Sequence, residues 1–313
     1  MQAICQAAAM FSRRLAPLLL CCCVAACAQA DAPFARLAGV MVDEHLREVS
    51  GVAASRTHKD VLWMLNDGGN PAELYAVTRY GRRLARVRIE DTANTDWEDL
   101  SAFELDGKRY LLIADTGDNG GLRKTLQLHV VAEPRDLVDA ALKPAWSIAF
   151  RWPDGARDCE AVAVDAQNKQ ILLLSKKRQP PELFVLPLHA GTKAKARPLT
   201  ARRIGYLRGV PQPGAALVRE QPQRARVYAH VTAADVSPRG DRLAVMTYNH
   251  VLIYSRRPQQ SWAQAAASAP QVYPVPLIPQ PEALAWSAGG GGLYATGEFS
   301  PAPIFFLMPT AKR

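Results

Sequence analysis

Cysteine is nearly absent from the body of this 313-residue chain: Cys5, Cys21, Cys22, Cys23 and Cys27 lie near its start, and Cys159 stands alone beyond them. An intramolecular disulfide is excluded in that body. Asp158 and Glu160 flank Cys159, a setting that raises a thiol pKa, so the residue reads as a small, half-buried one and not as a nucleophile. Histidines are few and dispersed (His45, His58, His129, His189, His230, His250), with no His-Glu-x-x-His and no pair at helical spacing, which argues against a zinc hydrolase. No Gly-x-Ser-x-Gly elbow occurs, and Ser50 before Gly51 reads as a small channel-lining residue and not as a nucleophile. Helical patterning is scarce as well. Ser261 to Ala269, rich in alanine, is the one short helical candidate outside the leader.

Charge is present but not concentrated. At 49% hydrophobic and 21% charged residues the chain is of globular and not of disordered composition. Residues 1–30 read as a leader, with Arg13-Arg14, an apolar run from Leu15 to Ala26, and then small residues; the run is too short for a membrane span. Two processing sites compete. Ala28-Gln29-Ala30 suits cleavage before Asp31, whereas Val24-Ala25-Ala26-Cys27 resembles a lipobox that would make Cys27 a lipidated N-terminus. The lipobox is the favoured reading, so the expectation is a periplasmic lipoprotein anchored to the outer membrane, with a soluble periplasmic or secreted form as the alternative. Without Arg13 and Arg14 the remainder carries 36 basic against 29 acidic side chains, a formal +7. The basic residues are scattered and not interleaved with aromatics, so nucleic acid is not an expected partner.

What the chain does have is an internal repeat. An acidic residue precedes a small, alternating run five times: Glu48 before Val49 to Ala53, Glu98 before Asp99 to Ala102, Glu160 before Ala161 to Val164, Asp235 before Val236 to Pro238, and Glu282 before Ala283 to Trp286. These acids are 50, 62, 75 and 47 residues apart, intervals that suit four-stranded propeller blades. Second strands end in polar or glycine residues: Asn66-Asp67-Gly68-Gly69, Asp115-Thr116-Gly117-Asp118-Asn119, Ser175-Lys176-Lys177, Thr247-Tyr248-Asn249 and Thr296-Gly297-Glu298. Third and fourth strands follow, except that the fifth unit runs out after its third. Phe34 to Val42 belongs to no other unit and is the expected donor of the missing outer strand, closing the ring and removing an exposed edge. The fold class is therefore all-β, a propeller of five blades over residues 31–313. Six blades are possible, because Gly209 to Val231 could hide a hairpin; that insert is read as a long loop.

In a propeller the start of each inner strand and the end of its antiparallel neighbour lie on one face. Glu48, Asp67, Glu98, Asp99, Asp115, Asp118, Glu160, Asp235 and Glu282 are accordingly expected at one channel mouth, joined by Asp96, Asp158, Asn66, Asn119, Asn249 and Glu298. Two like charges about 4 Å apart repel by roughly 4 kcal/mol even at a protein-like effective dielectric. A hard divalent cation is one compensation, and an oxygen-only donor set points to calcium before zinc. Raised carboxyl pKa values, a cationic substrate, or pairing with Lys176, Lys177, Arg56 and Arg178 are others. A competing reading makes the acids structural, accepting backbone N–H groups and tying blade to blade. Trp63, Trp97, Trp146, Trp152, Trp262 and Trp286 form no helical stripe and read as inter-blade core.

The segments Glu48 to Ser55, Leu62 to Gly69, Asp96 to Leu100, Ile113 to Asn119, Thr232 to Pro238 and Glu282 to Trp286 together resemble a family of exported bacterial β-propellers, similar to phytase-like esterase propellers and SdiA-regulated periplasmic propellers. The resemblance implies a calcium-dependent propeller with phosphoester or ester hydrolase ancestry. It also implies that Lys176 and Lys177, which stand where other units carry acids or amides, could hold a phosphate oxygen beside the metal. The resulting expectation is a calcium-binding mouth for ligand recognition or hydrolysis, with Glu98, Asp99 and Lys176 as the catalytic candidates, a small anionic ligand or substrate, membrane contact only through a lipid anchor, and a monomer. The alternative is a non-catalytic envelope scaffold.

Overall fold

A computed structural model describes residues 34–188 and 197–309. The expected leader, Cys27 and both candidate processing sites lie outside the described residues.

β1 (Ala35–Met41) precedes the first blade, which is built from β2 (Val49–Ala54), β3 (Val61–Asn66), β4 (Glu73–Thr78) and β5 (Arg83–Ile89). Blade 2 holds β6 (Trp97–Leu105), β7 (Lys108–Asp115), β8 (Leu126–Ala132) and, after the short β9 (Ala140–Leu142), β10 (Trp146–Arg151). Blade 3 consists of β11 (Ala161–Asp165), β12 (Gln170–Leu174), β13 (Glu182–Pro187) and, past β14 (Leu199–Thr200), β15 (Arg202–Tyr206). Two short helices, α1 (Ala215–Glu220) and α2 (Pro222–Val227), lead into blade 4: β16 (Val231–Val236), β17 (Arg242–Thr247), β18 (His250–Ser255), then α3 (Trp262–Ala266) and β19 (Gln271–Pro274). Blade 5 comprises β20 (Pro281–Trp286), β21 (Leu293–Gly297) and β22 (Ala302–Leu307), with β1 as its outer strand, antiparallel to β22.

The molecule is thus a five-bladed propeller closed by its N-terminal strand. The insert before blade 4 is not the loop expected from its prolines: it folds into α1 and α2, with Pro222 at the start of α2, where its missing N–H is harmless. The alanine-rich candidate is helical over a shorter span, α3, which Ser261 starts with a capping box to Gln264.

Inner strands are made of small residues because five of them must converge on one axis. A Cβ on Gly51 would meet the backbone of Asp99 and Leu100 in the next blade at 2.9 to 3.0 Å. Larger side chains sit between blades, in five clusters that each join two neighbours. Trp63 and Trp97 lie between blades 1 and 2, Phe150, Trp152 and Phe184 between 2 and 3, Tyr254 and Trp262 between 3 and 4, Trp286 between 4 and 5, and Met41 and Tyr75 between 5 and 1. Truncating such an aromatic costs roughly 3–5 kcal/mol.

Outer edges are covered by the following blade. β9, in the blade 2 connection, pairs in parallel with β5 of blade 1, and β14 does the same for β10 of blade 2. α3 packs on β15 of blade 3. Edge covering of this kind removes templates for strand addition.

Candidate functional site

The site originates in a backbone irregularity. In blades 1, 2, 4 and 5 the first strand carries one extra residue against the second, with register shifts at Val49/Gly51, Trp97/Asp99, Val231/Ala233 and Pro281/Ala283. In blade 3 the Lys176 amide donates to the Asp158 carbonyl while Ala161 pairs with Leu174, so Cys159 and Glu160 together face Ser175. Such bulges re-aim a side chain. The five bulge positions are Ser50, Glu98, Glu160, Thr232 and Glu282, all buried.

Two of these are hydroxyls that tie blades together. Ser50 Oγ donates to the Trp97 carbonyl and Thr232 Oγ1 to the Pro281 carbonyl, each at 2.8 Å. The three glutamates are directed to the mouth instead. Carboxylate oxygens of Asp67, Asp96 and Glu98 lie within 4.8 Å of one another, as do those of Glu98, Asp158 and Glu160. Glu98 is common to both groups, is 4% exposed, and receives no hydrogen bond among the described residues. Glu282 accepts the Tyr248 hydroxyl at 2.6 Å. Lys176 pairs with Oε1 of Glu160 and lies 5.9 Å from the Tyr248 ring centroid, while Oε2 of Glu160 is buried with no partner.

Two glycines make room for this crowding. A Cβ on Gly117 would collide with Oε1 of Glu98 and the Asp96 carboxylate, and one on Gly68 would meet Asp96 Oδ1 at 2.5 Å. Burial pushes the Glu98 carboxyl well above its ordinary value, and repulsion from Asp67 and Asp96 adds to it. Asp67 is raised to about 6, by burial first and then by Asp96 and Glu282; Asp96 is raised for the same first reason. Glu298 rises to about 8, through burial and its hydrogen bond with Glu282. His230, half-buried, is lowered by burial and by Lys176 and Lys177.

The remaining expected residues lie elsewhere or are already engaged. Asp99 is fully buried, and its carboxylate accepts the amides of Leu100 at 2.8 Å, Val162 at 2.8 Å and Ala234 at 3.3 Å, so it ties blades 2, 3 and 4 and does not join the mouth cluster. Asp235 lies three residues beyond the blade 4 bulge, and its carboxylate accepts the Trp286 amide of blade 5 at 2.8 Å. Asp115 accepts Arg123 Nη2 at 2.7 Å and the Asp96 amide at 3.2 Å. Asp118 accepts the amides of Leu122 and Arg123, shaping its own loop, while its own amide holds Asp158 Oδ1 at 2.9 Å. Glu48 is exposed, two residues ahead of the bulge, and accepts Asn70 Nδ2 at 2.7 Å. Asn66 and Asn249 bond backbone carbonyls of His45 and Tyr228. Lys177 does reach the site, pairing with Asp158 at 2.9 Å and with Asn119. Arg56 is at the other end of β2, donating to the Ala102 and Ala288 carbonyls, and Arg178 is nearest Glu182. Trp97 is inter-blade core, as expected. Burial, more than the flanking acids, lifts the Cys159 thiol to about 12.

Tyr248 and His230 were not singled out by sequence reasoning. Tyr248 had a signal, since it occupies the strand-end position that supplies polar groups in the other units. His230 directly precedes β16 and had none, because it reads in the sequence as one of six dispersed histidines without metal-ligand spacing.

No family model matches the chain, and no curated protein matches it in sequence. Solved structures do match in shape. The PQQ-bound aldose sugar dehydrogenase of Streptomyces coelicolor covers 88% of this chain and 97% of its own, at 10% identity and a TM-score of 0.50. The major allergen Mala s 1 of Malassezia sympodialis covers 89% and 96%, at 10% identity and a TM-score of 0.53. At that identity the likeness is one of fold alone, and the fold is a propeller.

Proposed function

We propose that the channel mouth binds a divalent cation, calcium by the chemistry of its donors, and that the ion together with Lys176 receives a small anionic ligand. The observation that carries this reading is Glu98: a buried carboxylate with no hydrogen bond among the described residues, shared by two groups of converging carboxylates. An uncompensated buried charge is costly, so the cluster calls for protons or a cation. The residues fit a hard ion. All donors are oxygens, Oε2 of Glu160 is buried without a partner, and Gly68 and Gly117 leave a cradle that a Cβ would fill. Asp67, Asp96, Glu98, Asp158 and Glu160 would hold the ion, which would supply charge neutralisation and Lewis acidity; Lys176 would exchange Glu160 for an anionic oxygen of the ligand. Phosphoester or ester hydrolysis is the finer form of this proposal, as is membership of the exported propellers that the motifs resemble, with lipidation at Cys27.

Calorimetric titration of the protein with calcium tests the first part, and the expected result is a single site lost in Glu98→Gln. Hydrolysis of p-nitrophenyl phosphate or acetate that depends on calcium and on Lys176 tests the second, and the intact mass of the mature protein tests the third. The scaffold reading has its own support, because Asp99 and Asp235 accept backbone amides across blade boundaries and need no ligand. Absence of any calcium heat would leave that reading standing.

A further inference from the structure

The scattered arginines of the sequence are gathered by the fold. A groove of about 840 Å³ runs between blades 3 and 4, away from the acidic mouth, and its lining includes Arg202, Arg203, Arg239, Arg256 and Arg257 against a single carboxylate, Asp241. Three of the five have partners: Arg203 pairs with Glu182 and Asp154, Arg239 with Asp241, and Arg256 with Asp165. Arg202, on β15 of blade 3, and Arg257, after β18 of blade 4, are exposed and have no carboxylate within ion-pair distance among the described residues.

The floor of the groove is built, not incidental. The fully buried Asp165 carboxylate accepts Arg256 Nη1 at 3.0 Å, Trp262 Nε1 at 2.7 Å and Asn168 Nδ2 at 2.7 Å. Arg256 is thereby fixed over the Trp262 ring, 4.3 Å from its centroid. The wall formed by α3 is held by the same buried Trp262 and by the Ser261 capping box.

We propose that this groove binds an anionic carbohydrate chain, its carboxylates or sulfates taken by Arg202 and Arg257 from opposite walls. Three features select that chemistry. Amide side chains of Gln167, Gln259 and Gln260 stand among the arginines and match sugar hydroxyls. The groove is about 840 Å³ and is lined by residues of both blades, room for a stretch of chain in place of a pocket for one ion, whereas the neighbouring cavity that shares Gln167 and Gly240 carries Glu104, Asp106 and Asp165 and would turn an anionic chain away. Its one aromatic, Trp262, is buried beneath Arg256 and offers no face for a nucleobase to stack on, while a two-walled groove does not suit a flat bilayer.

The test uses the full chain and two probes, polygalacturonate for carboxylates and heparin for sulfates, with binding measured by biolayer interferometry at fixed ionic strength. Wild-type protein is expected to bind at least one, and the double variant Arg202→Glu/Arg257→Glu to bind about tenfold more weakly. A control that reverses two other exposed arginines, Arg88→Glu/Arg219→Glu, is expected to retain affinity. Equal loss in the control overturns the proposal, as does wild-type preference for single-stranded DNA or for phosphatidylglycerol vesicles. If the double glutamate variant melts early, Arg202→Gln/Arg257→Gln gives the same comparison with less perturbation, and undiminished binding there is equally fatal. Retention of binding in Glu98→Gln separates this groove from the mouth.

Discussion

The Asp99 carboxylate accepts the Val162 amide across a blade boundary at 2.8 Å, while that of Glu98, one residue earlier, turns into the mouth cluster and receives no hydrogen bond among the described residues. The bulge between Trp97 and Asp99 separates them. One residue belongs to the architecture and the other to the site, and the two should respond oppositely to replacement.

Asp99→Ala removes the acceptor shared by the Leu100, Val162 and Ala234 amides and leaves them buried. A loss of roughly 3–5 kcal/mol is expected. Urea unfolding followed by circular dichroism checks this, and a wild-type midpoint would contradict the tie.

Glu98→Gln keeps shape and discards a buried charge. Without added metal its melting midpoint should rise, by the equivalent of about 1 kcal/mol. Wild type should gain stability from calcium and lose it again to a chelator, and the variant should show neither change. Thermal melts in the four combinations read this directly.

Gly117→Ala places a methyl group against Glu98 and Asp96. Displacing them should weaken calcium binding about tenfold and cost roughly 1–3 kcal/mol. Titration calorimetry against wild type measures the first effect, and unchanged affinity would show that the cradle is irrelevant to the ion.

Stability should fall as pH rises in metal-free buffer. Asp235 is held at about 7 against an ordinary 3.8, chiefly by burial, and Glu298 at about 8 against 4.5. A carboxyl raised in the folded state favours folding fully below its unfolded value, and that contribution is lost as pH climbs through the folded value. The decline should therefore run from about pH 4 to 8 and amount to a few kcal/mol, with the share from the half-exposed Glu298 reduced by solvent. Calcium at pH 8 should restore the part that belongs to the mouth. A midpoint that climbs between pH 5 and 8 without metal would reverse the sign.

Gly39→Val tests ring closure. Gly39 lies in β1 where a Cβ would strike the Tyr80 backbone of blade 1. Displacing the outer strand of blade 5 should lower stability by roughly 1–3 kcal/mol and promote aggregation through the bared edge of β22. Size-exclusion chromatography after heating reports it.

The blade count was legible because short alternating runs recur with turn residues between them, and because Phe34 to Val42 had no partner within its own neighbourhood. Glu98, Glu160 and Glu282 were legible as a set for the same reason. Glu48 and Asp235 were set beside them by counting, yet one precedes the bulge by two residues and the other follows it by three. Residue spacing cannot show a bulge, and in a structure of period two a single extra residue changes which face a side chain takes. Asp115 and Asp118 misled differently: turn carboxylates read as ligands in a sequence, whereas here Arg123 and nearby amides use them.

Composition and repeat alone determined that the chain is all-β, favoured five units closed into a ring by the N-terminal strand while leaving a sixth open, and set oxygen donors at one end, since these follow from local patterning repeated along the chain. Which carboxylates remain without partners, and that five dispersed arginines share one groove, was decided only by tertiary structure. Both depend on distances between residues tens of positions apart, and those distances are set by bulges, blade packing and buried hydrogen bonds that no local pattern encodes.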